Sequence, residues 1–263
     1  MMNLSLTNKK AVVCGSTDGI GKACAMEIAD LGASVTLIAR NEEKLKKTLS
    51  ELPSAEGQSH NYLCADFQQS YYLKAVLQDY VSNQSEIHIL VNITGGPPAG
   101  LAHEASLDAF RKGFEMHVIG NQTLLQAILP KMKAAGYGRI VNIISTSVKE
   151  PIPGLGVSNT IRGAVGNWAK TLSKELGQFG ITVNNVLPGS TETGRIRDLI
   201  QKRAETQGKT IEEIEQNMIA QIPVGRFAEP AEIGYAVAFL ASPAAAYISG
   251  VNLTVDGGKM GCA

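Results

Sequence analysis

Short apolar runs alternate with amphipathic stretches along the whole chain. The runs are five or six residues long and predict strands at 10–14, 34–39, 60–65, 87–92, 139–144, 182–187 and 251–255. Between them, helical periodicity covers 20–31, 42–52, 70–83, 106–134, 157–179 and 230–241. Strands this uniformly apolar are expected to be buried on both faces, and their alternation with helices calls for right-handed crossovers. The pattern therefore predicts an α/β fold: a single-domain, Rossmann-type, doubly wound parallel sheet of about seven strands with helices on both faces. Ligands of such sheets bind at the carboxyl ends of the strands.

One stretch breaks the rhythm. Residues 194–223 are polar and charged, with Ile200, Ile211, Ile214, Met218, Ile219 and Ile222 at helical spacing, and follow the strand end Leu187-Pro188-Gly189. Two readings stand, a helical insert that caps the cleft over a ligand or an ordinary surface helix pair. No internal repeat and no Pro/Ser/Gly-rich linker divides the chain, so residues 1–263 read as one domain carrying this insert.

The candidate chemistry begins at Cys14-Gly15-Ser16-Thr17-Asp18-Gly19-Ile20-Gly21, between the first strand and the first helix. Gly15 permits a tight turn off the strand, Gly19 lets backbone approach a ligand, and Gly21 lets the helix pack closely on the strand. Amides at the helix start, with the helix dipole, favour a phosphate there. The spacing is GxxxGxG rather than the commoner GxGxxG, and glycines placed for sterics alone would leave the same pattern.

Lys+Arg and Asp+Glu each number 24, so the chain is close to neutral and nothing steers it to nucleic acid or an anionic membrane. No apolar run is long enough for a membrane span, and the first ten residues have no apolar core of a signal peptide, so a cytoplasmic location is expected. Cys14, Cys24, Cys64 and Cys262 have no metal-ligand spacing and read as small thiols rather than disulfides.

Several motifs in order resemble the short-chain dehydrogenase/reductase family, its 3-oxoacyl-acyl-carrier-protein reductase branch in particular, over the whole chain. They are Gly15-x3-Gly19-Ile20-Gly21, Asp66 after the third strand, Leu90-Val91-Asn92 with Gly95, Gly138-Arg139-Ile140-Val141-Asn142-Ile143, Ser145, Val183-Asn184 with Pro188-Gly189, Gly225-Arg226-Phe227, and the closing Val255-Asp256-Gly257-Gly258. The resemblance implies a nicotinamide cofactor held by Gly15, Ser16, Thr17, Asp18, Gly19, Ile20, Gly21, Arg40, Asp66, Phe67, Asn92, Thr94, Gly95, Pro188, Gly189, Thr191 and Thr193. It also implies a homodimer or homotetramer through the helices at 106–134 and 157–179 and the last strand. Trp168 and Leu172 would then lie in the interface or in the core. The second strand ends Ile38-Ala39-Arg40. An acidic residue at Ala39 would repel a ribose 2′-phosphate, whereas Arg40 offers it a bidentate fork, so NADP(H) is expected over NAD(H). A solvated surface arginine is the other reading of Arg40.

The family's chemistry needs a Tyr-x3-Lys pair beginning 13 residues after a serine. Here Ser145 is followed at that spacing by Ser158 and then Arg162, and no tyrosine lies between Gly138 and Tyr235. A serine hydroxyl has no usable acidity near neutral pH, and an arginine stays charged. The family's tetrad asparagine aligns with His117, which titrates near pH 7 and can relay protons, or is a core histidine bonded to a backbone carbonyl. Lys149 leaves the fifth strand in Ser145-Thr146-Ser147-Val148-Lys149-Glu150 and is either an acid or anion binder in the cleft or a loop lysine beside Glu150. The loop Thr94-Gly95-Gly96-Pro97-Pro98-Ala99-Gly100 forms a stiff wall or a stiff connection. The candidate catalytic set is thus Ser145, Ser158, Arg162, His117 and Lys149, with no metal. The expected activity is NADP(H)-dependent reduction of a small-molecule carbonyl or, better suited to a site without tyrosine, a conjugated enone. The alternative is an NADP(H)-binding sensor, scaffold or partner subunit without turnover.

Overall fold

A computed structural model describes residues 2–261. Seven parallel strands run β1 Lys10–Cys14, β2 Ser34–Ala39, β3 Asn61–Cys64, β4 Ile89–Asn92, β5 Gly138–Ile143, β6 Ile181–Pro188 and β7 Asn252–Val255, in the order β3-β2-β1-β4-β5-β6-β7. The order reverses between β1 and β4, and the cleft at the carboxyl ends opens there.

Helices cover both faces. α1 (Gly19–Asp30), α2 (Glu42–Glu51) and α9 (Pro230–Ala241) pack on one side, where Cys24, Ile28, Leu45, Ile233 and Val237 meet Val13, Leu37, Val91 and Val141. α3 (Ser70–Ser82), α5 (Gly120–Ala135) and α6 (Gly156–Leu176) cover the other, where Leu73, Leu77, Leu124, Ile128 and Leu172 meet Val12, Ile38, Leu90 and Ile140. Trp168 packs against this second layer and donates from Nε1 to Gln122 Oε1 at 2.9 Å.

Two expectations need correction. β1, β2, β4, β5 and β6 are buried on both faces, but β3 and β7 are edge strands whose residues are half-buried or exposed, because each has one neighbour and incomplete cover. The helix expected at 106–134 is interrupted: α4 (Leu107–Phe114) ends in a π-turn over Glu115–Ile119 before α5 begins, so one residue more than an α-turn holds is accommodated around His117. The stretch after β6 forms two helices, α7 (Gly194–Gln207) and α8 (Ile211–Ile219), with a small core of their own from Ile196, Ile200, Ile214, Met218, Ile222 and Phe227. Thr210 and Glu213 close a reciprocal cap on α8. Cys14, Cys24 and Cys64 are free thiols, and Cys262 lies outside the described residues. Among the described residues no helix is long and apolar enough to cross a membrane, and no three metal-ligating side chains gather.

Candidate active site

The glycine turn is built for close backbone approach. A Cβ on Gly21 would lie 2.1 Å from the Gly15 carbonyl oxygen, and one on Gly15, at φ +54°, would lie 2.7 Å from the Ile93 carbonyl oxygen. Neither backbone neighbour can move aside, so both positions demand glycine. Asp18 caps α1 by accepting from the Gly19 amide at 2.7 Å. The Ser16 hydroxyl is sealed from solvent and has no hydrogen-bond partner among the described residues. Arg40 stands exposed at the end of β2, in no ion pair among the described residues. Asp66 Oδ1 accepts from the Gln68 amide, which fixes the carboxylate at the end of β3, and Phe67 is buried against Gly120. A glycine cradle, an orphaned hydroxyl and a free guanidinium fit a phosphorylated dinucleotide.

Side chains hold β4 to β7 in register, in a row that crosses β4 and β5 near their carboxyl ends. Asn92, Asn142, Asn185 and Asn252 occupy one row across β4, β5, β6 and β7. Their amides bond in series: Asn92 Nδ2 to Asn142 Oδ1 at 2.8 Å, Asn142 Nδ2 to Asn185 Oδ1 at 2.9 Å, and Asn185 Nδ2 to Asn252 Oδ1 at 2.8 Å. The loops carrying Thr94, Ser145 and Thr191 leave from this braced rim. Thr191 is buried, its hydroxyl donating to the Gly189 carbonyl, and the Thr193 hydroxyl donates to the Thr191 carbonyl. The Thr193 methyl lies 2.9 Å from where a Cβ of Gly19 would stand, so the start of α7 abuts the glycine turn, with Pro188 and Gly189 leading into it.

Ser145 caps a short 3-10 turn at the end of β5 by accepting from the Ser147 amide at 3.1 Å. Ser158 and Arg162 lie one helical turn apart on the buried side of α6. Arg162 Nη1 donates to the Ile143 carbonyl oxygen at 3.2 Å, which anchors the guanidinium two residues before Ser145. Burial, then the neighbouring charge of Arg195, pushes Arg162 down to about 10, so it remains a cation at neutral pH. His117 projects from the π-turn, its Nδ1 2.7 Å from the Thr94 hydroxyl and its Nε2 sealed without a partner among the described residues. Burial and then the charge of Arg162 push His117 down to about 3. The expectation that His117 titrates near pH 7 is thus corrected: the ring is neutral there. It is a core histidine, bonded to a threonine hydroxyl. Lys149 closes the 3-10 turn through its amide, and no hydrogen bond or ion pair joins its ammonium to Ser145, Arg162, His117 or Glu150 among the described residues.

Arg195, in the first turn of α7, was not singled out from sequence. Its Nη2 donates to the Pro97 carbonyl at 3.2 Å and its Nη1 to the Gly96 carbonyl at 3.5 Å. A Cβ on Gly96 would lie 2.8 Å from Arg195 Nη2, so the bare Gly96 makes room for the guanidinium. The only sequence signal was its place directly after Thr193-Gly194; its partners lie 98 and 99 residues away in the chain.

Fold and rim together define a nicotinamide-type oxidoreductase scaffold, and comparison with known proteins agrees. A family model described as enoyl-(acyl carrier protein) reductase matches residues 15–259. The 7alpha-hydroxysteroid dehydrogenase of Escherichia coli K12 is 30% identical over 256 residues, covering 97% of this chain and 96% of the relative. The 3-oxoacyl-[acyl-carrier-protein] reductase FabG of Rickettsia prowazekii is 32% identical over 260 residues, covering 98% of this chain and 99% of the relative. L-sorbose reductase of Gluconobacter frateurii, solved with NADPH and L-sorbose, superposes with a TM-score of 0.92 at 27% identity, covering 100% of both chains. The chain belongs to the short-chain dehydrogenase/reductase family and is an oxidoreductase of that family.

Proposed function

We propose that this protein is an NADP(H)-dependent reductase with an altered active site that reduces conjugated enones in preference to simple ketones. One observation carries the reading: Arg162 is a buried cation bonded to the end of β5, where Ser145 emerges, and no group beside it can give up a proton near pH 7. Ser158 is a poor acid, and His117 is neutral with no spare proton to lose at that pH. Plain carbonyl reduction requires a proton on oxygen as hydride arrives. Conjugate reduction does not. When bound, reduced nicotinamide supplies the hydride, which forms the new C–H bond at the β-carbon. The C=C electron pair moves toward the carbonyl and leaves an enolate. The Ser145 hydroxyl donates to that oxygen, the Arg162 charge offsets it, and water protonates the α-carbon.

The turn from Gly15 to Gly21, the orphaned Ser16 hydroxyl and the free Arg40 support NADP(H) as cofactor. Asp66, Phe67, Asn92, Thr94, Gly95, Pro188, Gly189, Thr191 and Thr193 complete the proposed cofactor rim, and α7–α8 act as the lid. Leu107 and Phe114 are 72% and 45% exposed on α4, beside an apolar groove against Ile161 and Ala164 of α6. These support a homodimer or homotetramer formed through α4 and α6.

The test follows NADPH absorbance against β-keto thioesters, simple ketones and enones, with NADH in parallel. Consumption on enones alone supports the reading, with Ser145→Ala and Arg162→Ala each slowing turnover, the former by roughly a hundredfold. Consumption on ketones overturns it in favour of an unrecognised acid, Lys149 first. The missing proton donor also favours a second reading, a cofactor-binding protein without turnover. Tight NADPH binding with no consumption on any acceptor would establish that one.

A further inference from the structure

The geometry points to a carboxylate-binding site in the cleft, formed by the guanidinium groups of Arg162 and Arg195, so that the substrate of the proposed reductase is an acid. This rests on the reductase reading for the word substrate; the anion site stands on its own observations. Arg162 is 9% exposed, yet no carboxylate lies within ion-pair distance of it among the described residues. It spends one N–H on the Ile143 carbonyl. Its Nε and Nη2 make no hydrogen bond among the described residues, and neither is sealed from solvent. A guanidinium carries five donors in a planar fork that matches a carboxylate.

Arg195 crosses from α7 to the loop after β4 and is held there by two carbonyls, again with no acid in ion-pair distance among the described residues. The loop that holds Arg195 also bonds His117 through Thr94, and its Pro97 meets Ile161, the residue before Arg162, at the Cβ position of Gly113, so both guanidinium groups serve the same corner of the fold. The half-exposed Arg197 pairs with Glu192 and Glu215, and Arg226 with Glu232, whereas the buried Arg139 spends its guanidinium on the carbonyls of Gly138, Gly180 and Ser242; Arg162 has one such carbonyl. A buried cation without an anion is expensive to desolvate, and a bidentate carboxylate removes that penalty. Ser158, one turn before Arg162, is short enough to leave the approach open.

The experiment titrates 4-oxopentanoate and its methyl ester into the NADP⁺-saturated protein by calorimetry. Saturation keeps the cofactor's phosphates in place. The acid is expected to bind at least tenfold tighter than the ester. Arg195→Gln is expected to reduce that preference below threefold. Arg162→Lys, which keeps the charge but loses the fork, is expected to reduce it severalfold while melting normally. Equal binding of acid and ester to the unmodified protein overturns the site, as does a preference that survives both substitutions. A weaker NADP⁺ affinity in Arg195→Gln with the acid preference intact overturns the role of Arg195, which would then serve the cofactor. NADPH oxidation on neutral enones without acid preference leaves the reductase reading standing and removes the site. Arginine-dependent acid binding without NADPH oxidation does the reverse.

Discussion

Replacing Asn142 with alanine cuts the asparagine series at its buried centre. Asn142 is 0% exposed and Asn92 2%, so water cannot enter to replace what is lost. The Asn92 Nδ2 donor and the Asn185 Oδ1 acceptor would both lose their partners. Each stranded buried group costs roughly 1–3 kcal/mol, so the pair costs about 4 kcal/mol in the middle of that range. For a chain of this size that lowers Tm by roughly 8–16 °C. Asn252 is the internal control. It is exposed, so Asn252→Ala strands only a donor that water can reach, and should cost about 1 kcal/mol or less.

The other end of the series predicts the opposite sign. Asn92 Oδ1 is buried with no partner among the described residues. Cys14 follows Val13, whose partner across the sheet is Val91, and so takes the next place in the same row. Burial pushes its thiol pKa up, leaving it a weak donor. Cys14→Thr places a hydroxyl donor beside Asn92 and should gain about 1 kcal/mol, whereas Cys14→Val should not. The chain's single tryptophan, Trp168, reports unfolding by fluorescence in urea or on heating, at one fixed protein concentration because association shifts the midpoint. Equal losses in Asn142→Ala and Asn252→Ala would refute the reasoning, since it rests on burial of the central pair.

Two further predictions concern charge. His117 has its pKa depressed to about 3 in the folded protein, so between about pH 6.5 and 3 the unfolded chain takes up a proton that the folded one refuses. Stability therefore falls as pH falls through that window, by up to about 1.4 kcal/mol per unit, and His117→Gln should flatten the slope of urea midpoints measured from pH 7 to 5. His88, also depressed by burial, retains its share in the variant. At β2, Arg40→Ala should raise the KM for NADPH at least tenfold with little effect on NADH, and Ala39→Asp should reverse the preference; unchanged ratios would mean Arg40 stays in solvent.

The parallel sheet was legible because burial on two faces leaves long apolar runs, and the five inner strands kept their predicted positions within two residues. β3 and β7 were read as equally buried because their apolar content resembles that of the inner strands; only the strand order reveals that each is an edge. The π-turn had no sequence signal, since the extra residue at Glu115–Ile119 changes no hydrophobic spacing that a helix would forbid. Residue types at the site were readable as departures: Ser158, Arg162 and His117 each stood out. Their consequences were not, because these depend on contacts distant in sequence. Thr94 turns His117 into a core group, and Arg195 reaches Pro97 from 98 residues away.

The two proposals draw on the same charge, and kinetics separates them. A tyrosine at position 158 would present a cation at 162 with a phenolate to stabilise. With serine there, the Arg162 charge has no carboxylate in ion-pair distance to balance it among the described residues. An enolate formed during reduction and a carboxylate present from the start can each fill that role, at different stages. Stabilisation of the enolate exists only at the transition state, so its loss lowers kcat and leaves KM unchanged. A grip on the carboxylate operates equally before and during reaction, so its loss raises KM and leaves kcat unchanged. Arg195 is held by Gly96 and Pro97, without a bond to the end of β5 where Arg162 and Ser145 sit, and belongs to the second kind. Arg162, anchored beside Ser145, belongs to both. On an acidic enone, Arg195→Gln should therefore raise KM alone, while Arg162→Lys should move both constants. A kcat loss confined to Arg195→Gln would place the developing charge on the α7 side of the cleft and reverse the assignment.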